Sequence, residues 1–280
     1  MARMRSARRV ALVTGGAKGI GLAFIRALLA QGHAVVTADT DAAALAALDG
    51  AVAEAERPML LTLARDLTAD GAPDTVVAAA MQRFGSVDVL VNNAGIGMGT
   101  LRADYGARPI RFWEVTPDQW RRFLEVNATI GFSLARLVAP AMADRGFGRI
   151  VNVTTSLGTM LRGGLSTYGG SKATFEALSA IMAADLAGSG VTVNVLVPGG
   201  ITNTAIVHAD AATRARMLQP EIMVPPLLWL ISDAAREVTG RRFLAAGWDP
   251  APPPDQNAEH AGAPAGWGAI ATLPIEPPRE

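Results

Sequence analysis

The most constraining feature of this 280-residue chain is a repeated alternation of short apolar runs with longer stretches of helical periodicity. Apolar runs of 4 to 7 residues are typical of strands that are buried on both faces of a parallel sheet. Parallel strands need crossover connections, and the intervening stretches have the length and periodicity of crossover helices. The pattern therefore predicts an α/β fold, a doubly wound parallel sheet with helices on both faces, in a single domain.

This pattern yields seven strands and six helices. The strands are predicted at residues 10–13, 34–38, 60–64, 87–91, 149–153, 191–197 and 242–246. The helices are predicted at residues 20–31, 41–56, 73–84, 117–144, 168–187 and 225–232. Residues 97–113 and 199–224 do not fit the repeat. Long loops in compact domains are often functional, so both stretches are candidates for contact with a substrate.

The two ends of the chain differ from the part between them. We expect a basic N-terminal tail at residues 1–8, the α/β domain at residues 9–248 and a Pro-rich tail at residues 249–280. The C-terminal tail holds 8 of the 17 prolines and has no sustained periodicity, so we expect it to be extended. It is either a disordered end or a strap over a neighbouring subunit, anchored by Trp267 and Ile270.

Composition and charge argue against several classes of protein. Hydrophobic residues make up 50% of the chain, which is enough to offset the entropy of folding. There are 25 basic and 25 acidic residues, so no net charge attracts nucleic acid or anionic lipid. The chain has no cysteine, and His33, His208 and His260 do not form a ligand cluster, so we expect no metal.

Targeting signals are also not expected. No uninterrupted apolar run approaches the roughly 18 residues that indicate a membrane span. The basic opening is followed by an apolar stretch that Thr14, Gly15, Gly16 and Lys18 interrupt, so it does not form a secretory signal. We therefore expect a cytoplasmic protein.

A glycine-rich turn follows the first predicted strand. Residues 14–21 read TGGAKGIG, in which Gly15, Gly19 and Gly21 have the spacing G-x-x-x-G-x-G. Glycine permits a tight turn and a close approach to a pyrophosphate, and the next helix presents free N–H groups to the anion. Such a turn can also be purely structural. On its own it is a weak indication of a dinucleotide site.

Asp39 and Lys18 favour different dinucleotides. Asp39 follows the second strand, where a carboxylate can bind the hydroxyls of the adenosine ribose and repel a 2′-phosphate. Lys18 lies in the turn and could reach a 2′-phosphate, which favours NADP. A carboxylate directly at the ribose should dominate, so we predict NAD. The alternative role for Asp39 is a helix N-cap, which Asp41 could also fill.

Two further motifs follow the third and fourth strands. Asp66 ends the third strand, and residues 92–95 read NNAG after the fourth. Both lie at carboxyl ends of strands, the edge at which open α/β sheets bind ligands. Asp66 could instead cap a helix, and NNAG could be an ordinary turn.

Tyr168 and Lys172 form the motif YGGSK near the start of a predicted helix. Residues four apart share one helix face, so both side chains can point into one cleft. Lowering a phenol pKa from about 10 to about 7 requires roughly 4 kcal/mol. A cation about 4 Å away supplies about 4 kcal/mol at an effective dielectric of 20, so Lys172 can make Tyr168 an acid/base. Taken alone, a motif of this spacing occurs by chance often enough that a surface pair on an amphipathic helix would be the better interpretation.

Hydroxyls and an amide accompany this pair. Thr155 and Ser156 follow the fifth strand and so lie at the same edge of the sheet as the Tyr168 face. Asn127, on the preceding long helix, could reach the same cleft.

Taken together, these motifs resemble the short-chain dehydrogenase/reductase family in its single-domain form. TGGAKGIG, Asp39, Asp66, NNAG, Asn127, the two hydroxyls, YGGSK and PGG at residues 198–200 occur in the family's order across residues 8–247. The resemblance implies a Rossmann sheet of order 3-2-1-4-5-6-7, NAD(P)-dependent hydride transfer and a homodimer or homotetramer formed through paired helices.

The resemblance also implies roles for individual residues. Tyr168 is expected to be the acid/base, Lys172 its activator and a ribose ligand, and Asn127 the anchor of a relay water. Either Thr155 or Ser156 is expected to polarise the substrate. The expected cofactor-binding residues are Gly15, Lys18, Gly19, Ile20, Gly21, Asp39, Asp66, Leu67, Asn93, Ala94, Gly95, Tyr168, Lys172, Pro198, Gly199, Ile201, Thr202 and Thr204.

Three features depart from the family's pattern. Thr155 stands where the family usually has its polarising serine, and Ser156 follows it, so which hydroxyl acts is open. The loop at 97–113 is longer than usual, and the chain continues past the usual end.

The two irregular loops, at residues 97–113 and 199–224, also carry apolar side chains. These suit an apolar or aromatic substrate, or equally a core or subunit contact. These are Met98, Leu101, Tyr105, Phe112, Trp113, Ile206, Met217 and Met223.

The sequence therefore predicts an NAD(H)-dependent oxidoreductase that interconverts a secondary alcohol and a ketone. One alternative is an NADPH-dependent carbonyl reductase, which Lys18 would support. The other is a regulatory protein that binds a dinucleotide without turnover.

Overall fold

The computed structural model describes residues 8–207, 209–249 and 251–267. Its centre is a sheet of eight strands in the order β3-β2-β1-β4-β5-β6-β7-β8. The strands are β1 Val10–Thr14, β2 Ala34–Asp39, β3 Leu60–Ala64, β4 Val89–Asn92, β5 Gly148–Val153, β6 Val191–Val197, β7 Arg241–Leu244 and β8 Gly262–Pro264. The first seven are parallel, which confirms the predicted doubly wound α/β fold and its strand order.

Helices cover both faces of this sheet. They are α1 Gly19–Ala30, α2 Ala42–Ala51, α3 Ala72–Phe84, α4 Pro117–Leu124, α5 Ile130–Asp144, α6 Leu157–Met160, α7 Ser166–Asp185, α8 Ala211–Ala215, α9 Val224–Leu230 and α10 Pro254–Ala261. One core cluster joins α1, α2 and α9 to one face of the sheet. A second joins α3, α5 and α7 to the opposite face. The fully buried β1, β4 and β6 explain why the sequence shows continuous apolar runs there.

Two predicted helices differ from the observed ones. The helix predicted at 41–56 ends at Ala51, because the apolar positions that pack it, Leu45 and Leu48, have no counterpart after Val52. The helix predicted at 117–144 is continuous but contains one π-turn at Glu125–Thr129 between α4 and α5. A π-turn leaves no hydrophobic signature, and such turns are frequent at functional sites.

The prediction that the C-terminal tail is extended was wrong for the part that the structure describes. Its described part forms α10 and then β8, which pairs antiparallel with β7 and adds an eighth strand to the sheet. Ala258, Ala261 and Ala265 are buried against the domain. The open edge of β7 supplies unpaired backbone groups, and these small residues let the returning chain approach closely. Ile270, the other proposed anchor of a strap, and residues 1–7 lie outside the described residues.

The stretch Pro117–Asp144 is the one helix, in the part of the chain that the structure describes, that is long and apolar enough to cross a membrane. Half of its most apolar window is buried inside the domain. A mostly buried core helix of a soluble protein can have this length and composition, so this helix is weak evidence for a membrane span.

Candidate active site

The glycine-rich turn between β1 and α1 is held by contacts that exclude larger side chains. Gly15 has a φ of 69°, in the region that favours glycine. A Cβ atom on Gly21 would lie 2.1 Å from the carbonyl oxygen of Gly15, so alanine does not fit there. The Asn93 amide donates to the carbonyl oxygens of Thr14 (3.0 Å) and Gly15 (3.1 Å). The NNAG segment therefore braces the turn.

The N-terminus of α1 fits a pyrophosphate. The N-cap residue, Lys18, makes no side-chain capping bond, and the first bond of the helix runs from Leu22 N to the Lys18 carbonyl. The amides of Gly19, Ile20 and Gly21 consequently have no acceptor within the helix. Free amides and the positive end of the helix dipole form an anion site.

The contacts of Asp39 and Lys18 decide between their alternative roles. The Asp39 carboxylate accepts hydrogen bonds from Ala17 N and Asp41 N, both at 3.0 Å, and keeps lone pairs for ribose hydroxyls. Asp41 is the N-cap of α2, where it accepts from Ala44 N at 2.9 Å. Lys18 forms an ion pair with Asp41, and this contact raises the pKa of Lys18. Asp39 is thus not the helix cap.

Asp66 lies exposed at the same edge of the sheet, after β3. It accepts hydrogen bonds from the Thr68 hydroxyl (2.7 Å) and amide (2.9 Å), which together with Arg122 lower the pKa of its carboxyl group. The side chain of Leu67 is buried in the core, so only its backbone is available to a ligand. Ala94 N donates to the hydroxyl of Thr14 at 3.0 Å and is therefore already paired.

Lys172 lies four residues after Tyr168 on α7, and its ammonium group is buried. Its Nζ donates to the carbonyl oxygen of Val153 at 2.9 Å. Burial lowers the pKa of Lys172 to about 8, so the side chain remains mostly cationic at pH 7. A Cβ atom on Gly95 would lie 3.4 Å from this Nζ, which explains a small residue at the end of NNAG.

The two candidate hydroxyls have different partners. The Thr155 hydroxyl interacts with the Tyr168 phenol and lowers its pKa, whereas Ser156 Oγ lies 2.7 Å from the Thr159 hydroxyl. The pKa of Tyr168 is raised overall, because burial raises it more than the interaction with Thr155 lowers it, and the nearby Tyr105 raises it further. Neighbouring residues at the end of a strand point in different directions, which separates the pair. The geometry therefore favours Thr155 over Ser156.

Asn127 lies in the π-turn between α4 and α5, and its side chain is buried. Its Oδ1 accepts from Ile96 N at 2.8 Å, and its Nδ2 donates to Ile96 O at 3.1 Å and Ser171 Oγ at 3.0 Å. A Cβ on Gly95 would lie 3.1 Å from its Oδ1. Asn127 and Lys172 therefore both lie next to Gly95 at the end of NNAG, and Asn127 does so from the π-turn.

The loop after β6 approaches the glycine-rich turn. Gly199 has a φ of 90°, and Pro198 O accepts from Ala246 N at 2.9 Å, which fixes the start of the loop. Thr204 lies against Gly19, where a Cβ would be 3.2 Å from its methyl group. Thr202 is buried, and its hydroxyl donates to Gly200 O at 3.2 Å. Ile201 is exposed and can contact a ligand only if the loop encloses one.

Arg214 on α8 organises this loop, and the sequence analysis missed it. Its guanidinium donates to Asn203 Oδ1 (2.9 Å), Thr204 O (3.2 Å) and Val207 O (2.7 Å). A five-donor guanidinium suits this task because it can hold several carbonyl groups at once. An arginine in a polar stretch carries no sequence signal of such a role.

The apolar residues of loop 97–113 divide into two groups. Met98 is buried, and Leu101 and Tyr105 pack with it beside Tyr168. Phe112 and Trp113 are 71% and 70% exposed, with their rings edge to face at 5.0 Å. Only the first group lies beside the proposed chemistry.

No group of three metal-ligating side chains occurs among the described residues, from which His208 is missing. His33 lies away from this edge, at the start of β2, and its Nδ1 accepts from Arg9 N at 3.2 Å.

A half-buried tyrosine and a buried lysine on one helix, beside an anion-binding glycine turn, are typical of a dinucleotide-dependent oxidoreductase. Residues 9–215 match the family described as short chain dehydrogenase. The chain belongs to this family, the short-chain dehydrogenases/reductases, which confirms the resemblance seen in the sequence. It is an NAD(P)-dependent enzyme that acts on CH–OH and carbonyl groups.

Several relatives are similar over nearly their whole length. The acetoacetyl-CoA reductase of Shinella zoogloeoides is 32% identical, covering 85% of this chain and 97% of that one. The 3-oxoacyl-(acyl-carrier-protein) reductase of Escherichia coli (strain K12) is 34% identical, covering 85% and 96%. The crystal structure of a Brucella melitensis 3-ketoacyl-(acyl-carrier-protein) reductase with NADH superposes with a TM-score of 0.72, at 27% identity and coverage of 86% and 96%.

Proposed function

We propose that this enzyme uses NAD(H) to interconvert a secondary alcohol and a ketone, with Tyr168 as the acid/base. The observation that carries the proposal is the placement of one phenol, one buried ammonium group and one hydroxyl at the carboxyl end of β5. Thr155 lies where its hydroxyl lowers the pKa of Tyr168, and Lys172 is buried one turn away on the same helix.

In the oxidative direction, the Tyr168 phenolate takes the proton from the substrate hydroxyl, while Thr155 donates a hydrogen bond that orients the substrate oxygen. The bound dinucleotide supplies the hydride acceptor or donor at its nicotinamide ring. Lys172 stabilises the phenolate by its charge, which a buried site screens little. In reduction, Tyr168 returns the proton to the carbonyl oxygen.

In this mechanism Asn127 fixes the backbone after NNAG and anchors a water molecule. Its two bonds to the Ile96 backbone fix the chain after NNAG, and its carbonyl oxygen keeps a second lone pair. That lone pair can hold a water molecule near Lys172, through which the proton of Tyr168 exchanges with solvent.

The choice of NAD over NADP rests on Asp39. A 2′-phosphate at the end of β2 would lie beside this carboxylate, and the nearest cation in the turn, Lys18, is already paired with Asp41. These contacts favour NADH over the alternative, an NADPH-dependent carbonyl reductase. The dinucleotide would be held by the amides of α1, by Asp39, Asp66, the NNAG backbone and Lys172, and by the loop from Pro198 to Thr204.

We propose an apolar ketone or its alcohol as the substrate, of the 3-oxoacyl type for which the relatives are named. Met98, Leu101, Tyr105 and Leu165 supply apolar surface beside Tyr168. The complete Tyr168 and Lys172 pair argues against a regulatory protein that binds without turnover.

A homodimer or homotetramer remains our proposal for the assembly. Trp120 on α4, Phe132 on α5 and Ile181 on α7 are 38%, 43% and 55% exposed, which leaves apolar side chains on the helices expected to pair. Closed symmetry would make this contact isologous. A cytoplasmic location stays an expectation from the sequence.

The test is turnover of short and long 3-oxoacyl thioesters and of simple ketones, each with NADH and with NADPH. We expect turnover with at least one 3-oxoacyl substrate and a higher kcat/KM with NADH. Tight binding of NADH without turnover across the panel would support the regulatory alternative. Equal or better use of NADPH would contradict the role given to Asp39.

A further inference from the structure

A buried carboxylate lies on α7 in line with the proposed catalytic residues. Glu176 is eight residues beyond Tyr168 and is fully buried. Its Oε2 accepts from the Thr154 hydroxyl at 2.8 Å. Its Oε1 accepts from Arg242 Nε at 3.0 Å and from Gly266 N at 3.1 Å. One side chain therefore joins α7 to the end of β5, to β7 and to the C-terminal segment.

Arg242 extends this arrangement to the active site. It is buried on β7, and its Nη2 donates to the carbonyl oxygen of Thr155 at 3.0 Å. The donors of a guanidinium lie in one rigid plane, so the bond to Glu176 fixes the direction of the second donor. That donor holds the peptide at which the chain leaves β5 and turns into α6. The same residue, Thr155, carries the hydroxyl that meets Tyr168.

Stability alone does not account for the pair. Taking two charges out of water costs free energy, and replacing a buried ion pair with apolar residues is often neutral or stabilising. Here the Arg242 guanidinium also donates to a backbone carbonyl at the active site, that of Thr155. The Glu176–Arg242 pair can hold the Thr155 peptide in one position, because a displacement of Arg242 would leave the buried charge of Glu176 unpaired.

We propose that Glu176 and Arg242 are positioning residues that hold the Thr155 peptide so that its hydroxyl meets Tyr168, with the Gly266 amide tying the C-terminal segment into the same arrangement. This inference rests on the proposed function, in which Thr155 and Tyr168 act together. On this proposal, the C-terminal segment helps to hold the active site, because Gly266, which follows β8, donates to Glu176.

The phenol of Tyr168 offers a direct readout. The groups that act on its pKa are Thr155 from the β5 turn and Tyr105 from loop 97–113, and the cation on its own helix, Lys172, lies one turn further along. Because the Thr155 bond lowers the pKa of Tyr168, moving Thr155 away should raise this pKa. The chain has 2 tyrosines, so Tyr105→Phe leaves Tyr168 as the sole tyrosine. Its ionisation can then be followed by NMR with tyrosine labelled at Cζ, without substrate or dinucleotide.

The test variant is Glu176→Gln with Arg242→Met, made in the Tyr105→Phe background. The glutamine carbonyl oxygen can still accept from the Gly266 amide, its NH2 group can donate to the Thr154 hydroxyl, and no buried charge is left unpaired. The matched control is Arg241→Met in the same background. Arg241 precedes Arg242 on β7, and its guanidinium lies 5.8 Å from the centre of the Phe243 ring.

We expect the double variant to raise the pKa of Tyr168 by about one unit and to lower kcat about tenfold. The dissociation constant of NADH should stay within about twofold, and the Arg241→Met control should match its background. If the double variant does not fold, Arg242→Lys keeps the charge beside Glu176 but lacks the planar fork. It should shift the pKa in the same direction.

A folded variant whose Tyr168 pKa and kcat equal those of the control would overturn the positioning role. The NMR titration needs no turnover, so it decides this inference even if no substrate is found. Absence of turnover by the parent enzyme across the substrate panel would count against the proposed function alone.

Discussion

Replacing Thr155 with valine removes the hydroxyl that lowers the pKa of Tyr168 and keeps the branched shape of the side chain. Removing one preorganised donor from a developing oxyanion typically lowers kcat by about 10² to 10³, or roughly 3 to 4 kcal/mol of barrier. The same change should raise the pKa of Tyr168, because the Thr155 bond lowers it in the parent enzyme. Thr155 is only half-buried, so the fold itself should lose little stability.

The assay is kcat in both directions at fixed pH, together with the dissociation constant of NADH. Ser156→Ala is the matched control, since Ser156 Oγ bonds to Thr159 at 2.7 Å, and its kcat should change less than about threefold. A large loss in Ser156→Ala with a small loss in Thr155→Val would reverse the assignment. Unchanged kcat in both variants, with Tyr168→Phe inactive, would show that neither hydroxyl orients the substrate.

Three further predictions concern the dinucleotide and the fold. Asp39→Ala should lower kcat/KM for NADH by about 10- to 100-fold and narrow the preference over NADPH, because a charge-assisted bond is worth about 1.5 to 3 kcal/mol. Gly21→Ala should abolish NADH binding and lower the Tm in calorimetry, since its Cβ would lie 2.1 Å from a carbonyl oxygen. Lys172→Met should be inactive yet more stable in urea below pH 8. Burial lowers the pKa of Lys172 from 10.5 to about 8 in the folded protein, so below pH 8 the buried, protonated lysine lowers the free energy of unfolding of the parent enzyme. The stability advantage of Lys172→Met should therefore be largest below pH 8 and should decrease as the pH rises towards 10.5.

The sheet could be predicted from the sequence because its strands are buried on both faces. Strand β6 matches its predicted bounds at Val191–Val197, where every residue is buried. Strand β8 could not be predicted, because Gly262–Pro264 has three residues without a pattern and depends on pairing with the distant β7. Local sequence carries little information about such a long-range pair.

The composition of the site was predictable, but its geometry was not. The spacing of Tyr168 and Lys172 corresponds to one helix turn, and in the structure Tyr168 is half-buried and Lys172 is buried on the same helix. The choice between Thr155 and Ser156 depends on how the chain leaves β5, which spacing alone does not determine. Glu176 was missed because a glutamate on a helix ordinarily faces solvent.

The most direct test of the account is Tyr168→Phe with 3-oxoacyl substrate and NADH, measured by single-turnover kinetics and by NADH binding. The account predicts that hydride transfer falls by about 10² to 10⁴-fold, the usual contribution of a general acid. The dissociation constant of NADH should stay within about threefold, because Asp39, Lys172 and the amides of α1, which would hold the dinucleotide, are unchanged, and the loss of any one neutral hydrogen bond from Tyr168 would cost roughly 0.5 kcal/mol or a little more. Hydride transfer at the parent rate in Tyr168→Phe would contradict the assignment of Tyr168 as the acid/base.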